Sequence, residues 1–123
     1  MQANVVSVVD DDPLVLKSVD RLLRATGYRT ELFSSGEDFL DGVASSAAMC
    51  LVIDIHLGDM SGIDLARQLA ARGFPVPIIF MSATVEPATR KAAIDAGCVA
   101  LLPKPFPADL LLKTISKALQ TRG

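Results

Sequence analysis

Five short apolar runs divide this chain, and each is followed by a stretch whose apolar residues recur with helical spacing. Val5-Val6-Ser7-Val8-Val9, Cys50-Leu51-Val52-Ile53 and Ile78-Ile79-Phe80-Met81 are almost unbroken. Strands of that kind belong in a parallel sheet covered on both faces, since a solvated face would place polar residues at alternate positions. Two weaker runs, Arg29 to Phe33 and Cys98 to Leu102, complete a set of five predicted strands. The pattern predicts an α/β fold of five strand-then-helix units with short connections.

Local signals predict where each helix starts and stops. Asp12-Pro13 supplies an N-cap and a proline at the first helical position; Val15, Val19, Leu22 and Leu23 face inward, and Gly27 ends the helix. Ser34 and Glu37 have capping-box spacing ahead of Phe39, Leu40 and Val43. The segment Leu57-Gly58-Asp59-Met60-Ser61-Gly62 reads as loop, and Ile63, Ala66, Leu69 and Ala70 mark a helix closing at Gly73. From Glu86 to Ala96 the chain is helical but alanine-rich, with Ile94 its one large aliphatic residue, which predicts a weakly anchored element ended by Gly97. Beyond Pro103-Lys104-Pro105-Phe106-Pro107, a last helix carries Leu111, Leu112, Ile115 and Leu119 and ends over Gln120-Thr121-Arg122-Gly123.

Composition narrows the function classes. The 123 residues suit one domain, 1–123, and a half-hydrophobic composition with 21% charged residues suits a packed core. A net charge of -2 argues against a nucleic-acid surface, which needs clustered lysine and arginine. Lys17, Arg21 and Arg24 share one helix face, which reads as the solvated side of an amphipathic helix. Cys50 and Cys98 lie in apolar runs and read as buried free thiols of a cytoplasmic protein. No leader and no membrane-spanning run is expected, the amino terminus passing from Met1-Gln2-Ala3-Asn4 directly into the first strand.

Chemistry concentrates just after the strand cores: Asp10-Asp11-Asp12 after the first, Asp54 closing the third, Ser82-Ala83 after the fourth and Lys104 after the fifth. Parallel strands gather their carboxyl ends along one edge, so these residues converge on a single crevice. Two unit charges about 4 Å apart repel by roughly 4 kcal/mol at an effective dielectric of about 20, so clustered carboxylates call for a cation. A hard divalent ion such as magnesium takes oxygen ligands of this kind. Asp54 can then act as a nucleophile toward phosphorus, with Lys104 neutralising charge and Ser82 donating its hydroxyl beside the small Ala83. Each residue also has a plainer role: Asp12 a helix cap, Asp10 and Asp11 solvated turn residues, Asp54 a structural turn, Ser82 a cap and Lys104 a surface lysine in a proline turn.

Together these residues resemble the receiver domain of two-component response regulators. The stretches that carry the resemblance are VVDDDP at 8–13, VIDIHLGDMSG at 52–62, FMSA at 80–83 and LLPKPF at 101–106, within a match from about Val5 to Leu119 whose flavour is that of nitrogen-fixation regulators. The resemblance implies a flavodoxin-like three-layer sandwich with strand order 2-1-3-4-5. It implies that Asp54 takes a phosphoryl group from the phosphohistidine of a sensor histidine kinase or a histidine phosphotransfer protein. Asp10, Asp11, Asp54 and the backbone carbonyl of His56 are then the ligands of Mg2+ or a similar ion such as Mn2+. Ser82 takes the place of the switch hydroxyl, Lys104 that of the family's lysine, and Lys104-Pro105 that of its cis bond.

The same resemblance implies a signalling domain that assists its own phosphorylation and dephosphorylation instead of an enzyme acting on external substrate. The fourth helix, fifth strand and fifth helix form its switching face. It implies a downstream effector or an output domain after Gly123, allows a phosphorylation-dependent homodimer, and involves neither nucleic acid nor membrane directly. Three departures stand out: Gly58 replaces the usual proline, Leu101 replaces a switching aromatic, and His56 stands where receivers vary the side chain that overlooks the phosphoryl group, so that it reads either as a solvent-facing loop histidine or, with Thr84, as a residue that would tune attack by water. An aspartate-nucleophile phosphatase normally places a second acid where His56 stands. A flavin or nucleotide binder would not set three aspartates against its phosphate.

Overall fold

The computed structural model describes residues 4–121, so Met1–Ala3 and the expected helix end at Arg122 and Gly123 lie outside the described residues. Its elements run β1 (Val5–Val9), α1 (Pro13–Ala25), β2 (Arg29–Phe33), α2 (Gly36–Gly42) with a 3-10 turn at Val43–Ser45, β3 (Cys50–Asp54), α3 (Gly62–Ala71), β4 (Ile78–Ser82), α4 (Pro87–Asp95), β5 (Ala100–Pro103) and α5 (Ala108–Thr121). All strand pairs are parallel and the order is β2-β1-β3-β4-β5. Among the described residues no helix is long and apolar enough to cross a membrane.

Every residue of β1, β3 and β4 is buried, as unbroken apolar runs require of central strands. The period of two then deals their side chains to two cores. Leu51, Ile53 and Phe80 pack with Phe39, Leu65 and Leu69 on one face, whereas Val52, Ile79 and Met81 pack with Val19, Leu23, Leu111 and Ile115 on the other. Asp12 caps α1 by accepting from the Leu14 amide at 2.9 Å, and Gly27, Gly73 and Gly97 all adopt positive φ just past helix ends.

Three local expectations are corrected, and the light anchoring expected of α4 is seen in detail. The α2 cap is Ser35, whose hydroxyl accepts from the Asp38 amide at 3.0 Å, so the Ser34–Glu37 box does not form. β4 extends to include Ser82. Cys98 precedes β5 and is only half-buried, because Gly97 turns the chain there and pairing in the sheet starts at Ala100. Ile94 is 64% exposed, and α4 buries Ala93 alone among its residues. The helix therefore sits close to the sheet through alanine, and its large aliphatic faces water.

Candidate functional site

The strand order lines up the carboxyl ends of β1, β3, β4 and β5, and with them the residues that close or follow those strands. Asp10 continues β1 by one residue, its amide donating to the Phe33 carbonyl at 3.1 Å, and its side chain is fully buried. One Asp10 oxygen accepts from the Asp12 amide at 2.9 Å and the other from the Lys104 ammonium at 2.8 Å. Asp54 closes β3; one oxygen accepts from the His56 amide at 3.1 Å and the other from Lys104 Nζ at 3.0 Å. Asp11 is exposed, yet its carboxylate lies with those of Asp10 and Asp54 so that one oxygen of each falls within 4.8 Å of the others.

Lys104 is aimed by its backbone. Its amide donates to the Ser82 carbonyl at 2.8 Å, which extends the β4–β5 ladder by one step, and its bond to Pro105 is cis. The Ser82 hydroxyl is buried and accepts from the Thr84 amide at 3.1 Å. Ala83, Thr84 and His56 are exposed around the crevice, while Leu101 is half-buried against the core behind Phe80.

Charge is unbalanced here. Burial pushes the Asp54 carboxyl above the usual carboxylate range, a shift opposed by the bonds from the His56 amide and Lys104 and reinforced by the neighbouring Asp10 charge. Burial works against the Lys104 ammonium, yet the hydrogen bonds it donates to Asp10 and Asp54 prevail and hold it above the ordinary lysine value. One ammonium faces three carboxylates, so the crevice keeps an excess of negative charge and a ready set of hard oxygen donors. That donor set fits a small divalent cation.

One residue of the site's frame escaped the sequence reading, which treated Gly62 as loop chemistry. A side chain there would collide with the Asp54 carbonyl oxygen and come within 2.9 Å of Ile53 Cγ2, so only glycine lets α3 begin directly behind Asp54. The available signal was a glycine at the first helical position, where nothing in the helix itself calls for one. Gly62→Ala is expected to lower stability by about 2 kcal/mol through overpacking, read as a shifted urea midpoint at unchanged slope.

Residues 6–116 match the model of the response regulator receiver domain. The chain belongs to that family. This receiver domain is 40% identical over 119 residues to the response regulator protein TmoT of Ectopseudomonas mendocina, covering 97% of the chain and 54% of TmoT. It is equally similar, at 40% over 119 residues, to TodT of Pseudomonas putida, covering 97% of the chain and 52% of TodT. It thus spans about half the length of these curated relatives. Its fold matches a CheY-like receiver domain protein of Methanospirillum hungatei with a TM-score of 0.93 at 23% identity, over 98% of this chain and 97% of that one. Receiver domains are phosphorylated on an aspartate and generally bind Mg2+; signalling is their general function.

Proposed function

We propose that Asp54 is the phosphoacceptor of this receiver domain and that residues 1–123 act as one phosphorylation-operated switch. The observation that supports it most directly is the pair of ion-paired hydrogen bonds that Lys104 donates to Asp10 and Asp54, which couples β1, β3 and β5 at one point. In the transfer, an Asp54 carboxylate oxygen attacks phosphorus and forms an O–P bond. The P–N bond of a kinase or phosphotransfer-protein histidine breaks, and its electron pair returns to the imidazole. Such a transfer depends on positioning and charge neutralisation.

Asp10, Asp11, Asp54 and the His56 carbonyl would hold Mg2+, or an ion such as Mn2+, which supplies neutralisation of the phosphoryl oxygens. Lys104 supplies the second positive charge. Its position between Asp10 and Asp54 lets it move to a phosphoryl oxygen without leaving the crevice. The buried Ser82 hydroxyl, one strand away, donates to another phosphoryl oxygen when it turns from the Thr84 amide. That rotation pulls on the segment leading to α4, which buries only one alanine, so α4, β5 and α5 form the face that shifts and is read by a partner. Half-buried Leu101 takes no aromatic part in that step.

The partners on this reading are a sensor histidine kinase or phosphotransfer protein, a second copy of the phosphorylated chain, and a downstream effector or output domain, all in the cytoplasm. Incubation with a small phosphodonor and Mg2+, followed by intact-mass measurement, tests the reading. A phosphate adduct is expected, and its absence at saturating Mg2+ would remove it. The chain also sets its own rate of phosphate loss. Substituting His56 or Thr84 by alanine is expected to change the lifetime of the adduct without changing its formation, because both side chains are exposed beside the crevice where water enters. Equal lifetimes in both variants and the wild type would exclude that role.

A further inference from the structure

The loop from Ile55 to Gly62 carries His56 and ends behind Asp54, so its shape sets where the His56 carbonyl lies relative to the carboxylates of Asp10, Asp11 and Asp54. Its base is closed by the Gly62 amide donating to the Ile55 carbonyl at 2.7 Å, with His56 opposite Ser61. Its tip has no such backbone closure. At that tip stands Gly58, beside the cation site: a Cβ placed on it would lie 3.5 Å from an Asp11 carboxylate oxygen, an ordinary contact, and its φ is not left-handed. Nothing in the backbone therefore demands glycine there, and glycine brings the largest loss of freedom on ordering.

The tip is instead tied to another helix. Asp59 is exposed, yet its two carboxylate oxygens accept separately from the Gly36 amide at 3.2 Å and the Glu37 amide at 2.9 Å, at the start of α2. With Ser35 taking the Asp38 amide and the Ser35 carbonyl taking that of Phe39, each of the first four amides of α2 has an acceptor. Beside this clasp Met60 lies against Gly36 so closely that a Cβ on Gly36 would come within 2.7 Å of the Met60 sulfur. The hydrogen bond from the Glu37 amide, the largest influence on Asp59, holds its carboxyl below the usual range, so the clasp stays ionised near neutral pH.

We propose that Asp59, seated by Met60 on Gly36, is a positioning residue that fastens the cation-site loop to α2 and so supplies the order that Gly58 withholds. The proposal rests on the reading of Asp10, Asp11, Asp54 and the His56 carbonyl as a magnesium site. It assigns Asp59 no contact with the ion. The clasp acts by restricting the loop before the ion arrives, so its loss weakens binding without altering the transfer step once the site is filled.

The experiment combines titration of Mg2+ by calorimetry with hydrogen exchange of the Gly36 and Glu37 amides in four proteins: wild type, Asp59→Ala, Asp59→Asn, and Asp59→Ala combined with Gly58→Ala. Asp59→Ala is expected to weaken Mg2+ binding about two- to fivefold and to remove protection of both amides, while the phosphorylation rate at saturating Mg2+ stays within about twofold. Asp59→Asn keeps one acceptor and recovers part of the affinity. Adding Gly58→Ala to Asp59→Ala recovers affinity without restoring amide protection, an outcome that mere loss of α2 stability does not produce. Unchanged Mg2+ affinity in Asp59→Ala, with the wild type binding normally, overturns the clasp alone. A wild type that shows no Mg2+ binding overturns the underlying metal-site reading, and the clasp with it.

Discussion

Asp54→Asn is expected to abolish phosphate uptake from a small phosphodonor and, in the same protein, to raise stability at pH 7. The two effects share one cause. Asp54 is buried at the end of β3, and its ionised form is retained only through the His56 amide and Lys104. Because burial leaves its folded-state pKa above the ordinary 3.8, its protonated form favours the fold. That contribution is complete below about pH 4 and is lost as pH rises through the raised value. Asparagine keeps the shape and carries no charge to desolvate, so the variant escapes this loss. Chemical denaturation of both proteins from pH 4 to pH 7 should show their stabilities diverging as pH rises. A phosphate adduct of wild-type yield on Asp54→Asn would instead place the acceptor elsewhere.

Lys104→Met carries the second large effect, in the opposite direction. Methionine preserves much of the side-chain volume but leaves Asp10, fully buried, and Asp54, nearly so, facing each other without a cation. Removing one partner from a buried ionic set is expected to destabilise the fold by about 3 kcal/mol. Millimolar Mg2+ should recover more stability in the variant than in the wild type, because it restores positive charge to the same carboxylates. The intact lysine contributes fully below its ordinary value of 10.5, and its contribution is lost as pH rises through the raised folded value. Alkaline denaturation should therefore affect the wild type more steeply than Lys104→Met. A variant with wild-type stability in EDTA would mean that Asp10 and Asp54 need no cation between them.

The switching proposal depends on a feature that periodicity described only in part. Alanine-rich composition with one large aliphatic residue, Ile94, correctly pointed to a lightly held α4, but it did not show which residue holds it. The anchor is Ala93, and Ile94 and Val99 present apolar surface to solvent. Helical spacing gives the width of an apolar stripe, and one turn containing several alanines leaves its direction undetermined by about a residue. The cap of α2 shows the same limit. Ser34 and Glu37 have the spacing of a capping box, but Asp59 arrives from the β3–α3 loop and takes the Glu37 amide, and Ser35 takes the next one. A tertiary acceptor displaced a local one.

What the sequence alone determined is everything written in short-range spacing. Unbroken apolar runs marked β1, β3 and β4 as central strands, Asp12-Pro13 and Gly27 bounded α1, and chemistry placed after strand cores pointed to one sheet edge. Only the tertiary structure decided which of three neighbouring aspartates would be buried against Lys104, a partner 94 positions from Asp10 and 50 from Asp54. It likewise decided that Gly62 must be bare of side chain and that Asp59 reaches α2. Local propensity acts over a few residues, whereas these outcomes follow from how closely parallel strands bring distant atoms together, and close packing admits only one arrangement of them.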